Sequence, residues 1–203
     1  MIRFATLGLV TVLLWLIGRT QSDAHQIASK DFRRLMLVVL FATYATHLFH
    51  EFGHWTIGTL LGNEMSMSLN RAWPTNGSYL KDSHALYVTI GGPAFTILLA
   101  LIALFVIEKY RTYYAYPFLV SSFLDRYFPI TFAKFAEQDE AKISEMVNFR
   151  SYTVAIIVCL FLFALLLRGS RTLKLNIKVI NVFFVGSIAA LLIVIGTNKL
   201  LFS

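Results

Sequence analysis

The sequence predicts an all-α polytopic membrane protein, with about five to six transmembrane helices and one small membrane-associated β-hairpin. Of its 203 residues, 57% are hydrophobic and only 14% are charged, whereas a soluble domain carries roughly 25% charged residues. The apolar residues form separate stretches along nearly the whole chain. Stretches that cross lipid must be helical, because an open strand would leave backbone groups unpaired there. This composition excludes an ordinary soluble enzyme, a disordered chain and a nucleic-acid-binding module.

The predicted helices come from six apolar segments, since a span needs about 20 apolar residues. The first segment, residues 4–17, lies between Arg3 and Arg19 and is short, which predicts a retained signal anchor with a cleaved secretory signal as the alternative. The stretch at residues 113–124 is also short and precedes Pro129, which predicts a broken or partial span. Basic residues stand mostly between the segments, where they would meet the headgroups of the lipid bilayer. The remaining segments are residues 35–61, 85–107, 152–167 and 177–195.

One connection between the helices predicts a β-hairpin. Residues 65–70 alternate apolar and polar side chains, and Asn76-Gly77 follows within the same connection, residues 64–79. Alternation next to an Asn-Gly pair is typical of a hairpin with a tight turn. We therefore expect the turn at Asn76-Gly77.

The second apolar segment contains the sequence His50-Glu51-Phe52-Gly53-His54. Side chains four residues apart project from the same face of a helix, so His50 and His54 can bind one metal ion. Glu51 is placed to act as a general base on a water and then as a proton donor. Zn²⁺ is the predicted cofactor, because it makes a bound water acidic enough to supply hydroxide at neutral pH. Ionisable groups inside a span are costly and favour a functional explanation, with hydrogen bonding between helices as the structural alternative.

His47 lies on the same general face of this helix, three residues before His50. We expect it to form a hydrogen bond between helices. The alternative is a contact with substrate or with a metal-binding residue.

Over roughly residues 35–150, the chain resembles the site-2 protease family of intramembrane zinc metalloproteases. The signature at residues 50–54 continues as Trp55-Thr56-Ile57-Gly58 in a hydrophobic helix, as in that family. Gly91-Gly92-Pro93-Ala94 is similar to the Gly-Pro turn that opens the family's next core helix. Thr96 stands where the family has an Asn. The resemblance implies an active site that opens towards the cytosol and a membrane-associated strand, here the predicted hairpin, that receives unwound substrate.

The family's third zinc ligand is an Asp after a Pro-containing turn, and the resemblance assigns that role to Asp139, with Pro129 in the turn. Two further positions, both near the third ligand, depart from the family pattern. Glu140 replaces the Gly that follows the Asp, and Arg126 replaces an Asn before the proline. Because of these departures, the family pattern does not predict which residues contact the third ligand.

Asp125 is the alternative third ligand. It would lie at a depth comparable with His50 if its helix runs straight, whereas the structural alternative is a boundary pair of Asp125 with Arg126 at the end of a span. Glu137 and Glu140 are expected to be solvated charges beside the site.

These features predict an intramembrane zinc metalloprotease that hydrolyses a peptide bond in or near a transmembrane segment of a membrane-protein substrate. His50, His54 and Asp139 would bind Zn²⁺ and Glu51 would be catalytic, while no substrate-binding residue is predicted. The alternative is a catalytically inactive, protease-like membrane scaffold or regulator. A metal or proton transporter ranks last, because the sequence has no internal repeat.

The predicted organisation has three parts. Residues 1–34 form an N-terminal signal anchor and loop, and residues 35–150 form the metalloprotease-like membrane core. Residues 151–203 form two C-terminal transmembrane helices that pack against the core or gate it.

Overall fold

The computed structural model describes residues 29–69, 71–132 and 138–202, and it confirms the predicted fold class of helices with one small antiparallel hairpin. The predicted signal anchor at residues 4–17 lies outside the described residues. The helices are α1 (Ser29–Leu60), α2 (Asp82–Tyr110), α3 (Tyr116–Phe132), α4 (Asp139–Met146), α5 (Thr153–Thr172) and α6 (Ile177–Phe202), and the strands are β1 (Met65–Ser68) and β2 (Arg71–Pro74).

Four of the described helices are long and apolar enough to cross a membrane. They are α2 and α5 over their whole length, α1 from Phe32 to Leu60, and α6 from Ile177 to Val194. Their outward faces carry large apolar side chains: Leu37, Leu160 and Val185 are 67%, 63% and 66% exposed. Soluble proteins rarely expose such extensive apolar surface to water, so these faces suit contact with lipid.

α3 lies inside the helix bundle. Residues 115–127 are buried almost without interruption, and the Tyr116 ring contacts Phe183 of α6 with ring centroids 5.1 Å apart. The helix has 17 residues, fewer than the about 20 that a full span requires. It continues past Pro129 to Phe132, so the proline does not break it there. Because α3 is enclosed by protein, its polar side chains can find partners away from lipid.

The hairpin is present, but its turn is not where the sequence predicted it. β1 and β2 pair antiparallel, from Met65 opposite Pro74 to Ser68 opposite Arg71, so residues 69–70 connect them. Gly77 has a φ of +80° and donates its N–H to the Pro74 carbonyl in a separate turn after β2. The expectation of a turn at Asn76-Gly77 is wrong because α2 begins at Asp82. Only residues 78–81 remain between Gly77 and the start of α2. They are too few to form a strand that could pair with residues 65–70.

Glycines bring α1 and α2 into backbone contact beside the histidine motif. A Cβ at Gly91 would lie 2.6 Å from the Gly53 carbonyl oxygen, so neither helix has room for a side chain there. Gly91-Gly92-Pro93 lies in the interior of α2, and the expectation that it opens the helix is therefore wrong. The helix starts earlier because Asp82 favours its N-terminal turn and apolar residues follow at once. The small residues permit close helix packing instead.

Candidate metal centre

His50 and His54 lie one turn apart on α1, and the start of α4 brings Asp139 to them. The two Nε2 atoms are 3.1 Å apart. Asp139 Oδ2 lies 3.0 Å from His50 Nε2 and 3.2 Å from His54 Nε2. Both imidazoles are buried, at 4% and 8% exposure. The three side chains form a group that could hold a metal ion.

The outer nitrogen of each imidazole is engaged by a neighbouring oxygen. His54 Nδ1 lies 2.6 Å from the Val88 carbonyl oxygen, which can only accept, so His54 donates from Nδ1. His50 Nδ1 lies 3.0 Å from Thr96 Oγ1, and the Thr96 hydroxyl donates to the Gly92 carbonyl. Thr96 therefore accepts from His50. In each neutral imidazole the remaining nitrogen, Nε2, carries a lone pair.

With both imidazoles neutral, three electron-pair donors converge with no proton to share among them: the two Nε2 atoms and Asp139 Oδ2. Buried acceptors normally have a hydrogen-bond donor as their partner. A cation in the middle of the group satisfies all three at once, and the outward Nδ1–H bonds are the usual way in which proteins orient metal-binding imidazoles. The donor set therefore fits a bound metal ion.

Gly92 of α2 lies directly against the two imidazole rings. A Cβ at this position would come within 2.5 Å of His50 Cε1 and would also overlap His54 Nε2 and Cε1. The α2 backbone thus forms one wall of the group. This contact depends on the close approach of α1 and α2 at Gly53 and Gly91.

Asp139 is held in its ionised form. It is the first residue of α4, where a negative charge is favoured by the helix dipole. An ionised carboxylate is the form that binds metal.

Asp125, the alternative ligand, has other partners. Its Oδ1 lies 3.3 Å from His47 Nδ1 and its Oδ2 lies 2.5 Å from Arg126 Nη2. The structure therefore places Asp125 in an ion-paired group next to the three candidate ligands. His47 forms the expected contact between helices, and its partner is Asp125 of α3.

Glu140 differs from the sequence expectation. It is 3% exposed, and its Oε1 accepts a hydrogen bond from Arg126 Nη1 at 3.2 Å, so the expectation of a solvated charge is wrong. The Glu140 carboxylate can be buried because the paired guanidinium compensates the cost of removing it from water. Sequence reasoning missed this pair. An arginine inside a largely apolar stretch was the signal, because such a charge needs a partner within the protein. Glu137 lies outside the described residues.

A cavity of about 730 Å³ opens onto the candidate ligands. Glu51 lines it, together with the ligands and Arg126, and α6 contributes an apolar wall through Ile188 and Leu191. All four residues of β2 line the cavity, while the residues of β1 do not. The cavity therefore brings Glu51, the candidate metal site and strand β2 together.

Comparison of the chain with protein-family models, with curated proteins and with solved structures finds no match.

Proposed function

We propose that this protein is an intramembrane zinc metalloprotease, similar in its motifs to the site-2 protease family, which hydrolyses a peptide bond in or near a transmembrane segment. The observation that carries the proposal is the convergence of His50 Nε2, His54 Nε2 and Asp139 Oδ2 within 3.0–3.2 Å, with both Nδ1 atoms engaged elsewhere. Two imidazoles and one carboxylate are the ligand types of catalytic zinc sites, which keep a fourth position open.

Zn²⁺, when bound, would lower the pKa of water to about 7 and polarise the scissile carbonyl. Glu51 follows His50 directly and lines the same cavity, where a carboxylate can take the proton of the attacking water. The same carboxyl group can then give that proton to the amine that leaves. One residue thus serves both proton transfers of peptide hydrolysis.

β2 offers a place for an extended substrate. It belongs to a two-stranded sheet and lines the cavity with Arg71–Pro74, so no third strand pairs with its outer edge among the described residues. A substrate segment that adds to this edge keeps its backbone hydrogen-bonded after it unwinds from a helix. The edge would also align the scissile bond beside Glu51.

Glu51→Gln tests the proposal, because it removes the acid–base group and leaves the three candidate ligands in place. The protein would be reconstituted with host membrane proteins, and new N-termini would be identified by mass spectrometry. The matched control is Glu145→Gln, a glutamate that is exposed on α4.

We expect cleavage products with wild-type protein and with the control, none with Glu51→Gln, and unchanged zinc content in all three. Cleavage by Glu51→Gln at the wild-type rate would contradict the mechanism. A full biological effect of zinc-loaded Glu51→Gln without any cleavage would favour the inactive scaffold or regulator instead.

A further inference from the structure

Arg126 of α3 is a buried cation beside the candidate metal site. It is 7% exposed. Its Nη2 pairs with Asp125 Oδ2 at 2.5 Å, and its Nη1 lies 3.2 Å from Glu140 Oε1 and 3.5 Å from Glu140 Oε2. The same Nη1 is 3.9 Å from Asp139 Oδ2. The guanidinium is therefore within reach of the oxygen that faces both histidines.

A guanidinium at this distance competes with a metal ion for Asp139. Arginine binds carboxylates strongly, through two parallel hydrogen bonds where geometry allows. In a buried site, an ion pair between Arg126 and Asp139 would turn Oδ2 away from the imidazoles. A cation so near would also repel a divalent ion, because charges interact strongly away from water.

Glu140 engages Nη1, the guanidinium nitrogen that lies 3.9 Å from Asp139 Oδ2. Glu140 is adjacent in sequence to Asp139 in the first turn of α4, so the contact that engages Arg126 also sets the position of the neighbouring carboxylate. Arg126 and Glu140 thus tie α4 to α3 at the level of the site. Arg126 and Glu140 are also two of the positions at which the chain departs from the family pattern.

The group around Arg126 contains more carboxylates than guanidinium groups. Asp125, Asp139 and Glu140 surround the single guanidinium of Arg126. A low-dielectric environment favours charge balance, so this group favours a further cation.

We propose that Glu140 is a positioning residue that engages Arg126 and thereby leaves Asp139 free to bind the metal ion. The inference rests on the metal site of the proposed function and does not depend on proteolysis. In this proposal the Arg126–Glu140 pair supports metal binding. Removal of Glu140 should therefore weaken zinc binding only while Arg126 is present.

The test measures the zinc dissociation constant of detergent-purified protein by competition with a chromophoric chelator. Glu140→Gln keeps the shape of the side chain and removes its charge. The double variant Glu140→Gln with Arg126→Met also removes the competing cation. Glu145→Gln, on the exposed side of α4, is the matched control, and melting temperature with size-exclusion behaviour reports folding of each variant.

We expect Glu140→Gln to weaken zinc binding about 10- to 100-fold, the usual effect of disturbing a partner of a metal ligand. The double variant should recover at least about tenfold of that loss, and the control should bind as the wild type does. If the Arg126–Glu140 pair only supported the fold, the double variant would bind zinc at least as weakly as Glu140→Gln, because it has lost both partners of the pair.

Unchanged affinity in Glu140→Gln, or no recovery in the double variant, would overturn the inference while the metal site itself stands. Wild-type protein that binds no zinc would overturn the proposed function as well. The two failures are therefore distinguishable in one experiment.

Discussion

Gly92→Ala adds a single methyl group against the two imidazoles, and its effect on zinc binding can be worked out from the structure. Its Cβ would lie 2.5 Å from His50 Cε1 and 2.6 Å from His54 Cε1, whereas unstrained carbon contacts lie at about 3.5–4.0 Å. The rings would have to retreat by about 1 Å. Zinc–nitrogen bonds of about 2.0–2.1 Å tolerate deviations of only about 0.2 Å.

We therefore expect Gly92→Ala to weaken zinc binding by about 100-fold, which corresponds to about 2.7 kcal/mol. Helix propensity acts in the opposite direction, since alanine favours a helix interior by about 0.8–1.0 kcal/mol over glycine. The variant should therefore lose metal without losing its helices.

The assay is chelator competition on purified protein, with helix content followed by circular dichroism. Gly196→Ala in α6 is the matched control, because no described atom lies within 4 Å of a Cβ at that position. It should bind zinc as the wild type does. Folded Gly92→Ala protein that also binds zinc with wild-type affinity would refute the placement of α2 against the histidine rings.

Three further predictions follow from contacts around the site. Thr96→Val removes the acceptor of the His50 Nδ1–H bond and should weaken zinc binding about 10-fold or more. Thr96→Ser keeps a hydroxyl and should bind zinc as the wild type does. Equal zinc affinities of Thr96→Val and the wild type would contradict this role. Zn²⁺ at about 100 times its Kd should raise the free energy of unfolding by about 2.7 kcal/mol, seen as a thermal shift that His50→Ala abolishes; a shift that persists in that variant would place the metal elsewhere. Trp55→Phe removes the indole N–H that donates to the Met65 carbonyl, at a cost of about 1 kcal/mol, and should speed hydrogen exchange in β1; unchanged exchange would show that other contacts fix the hairpin.

Periodicity and composition predicted the helices and the shared face of two histidines. Apolar stretches long enough to span lipid admit little besides helix, and the four-residue spacing of His50 and His54 fixes their common face. These features are local in sequence. Each predicted segment within the described residues contains a helix, although the one predicted at residues 113–124 spans Tyr116–Phe132, and the short helix α4 was not predicted.

Features that depend on distant parts of the chain were harder to predict. Asp139 is 89 residues from His50, and only the resemblance to a family favoured it over Asp125. The hairpin turn was misplaced because its register depends on where α2 begins. Glu140 was expected in solvent because the sequence does not show that Arg126, on another helix, would face it.

The most direct test of the account is the zinc content of purified protein, measured by elemental analysis after metal is supplied. We predict about one zinc per chain in the wild type, loss of that zinc in His50→Ala and in Asp139→Ala, and retention in Asp125→Asn. Protein that is folded and contains no zinc, or that loses its zinc with Asp125 but keeps it without Asp139, would contradict the proposed metal site.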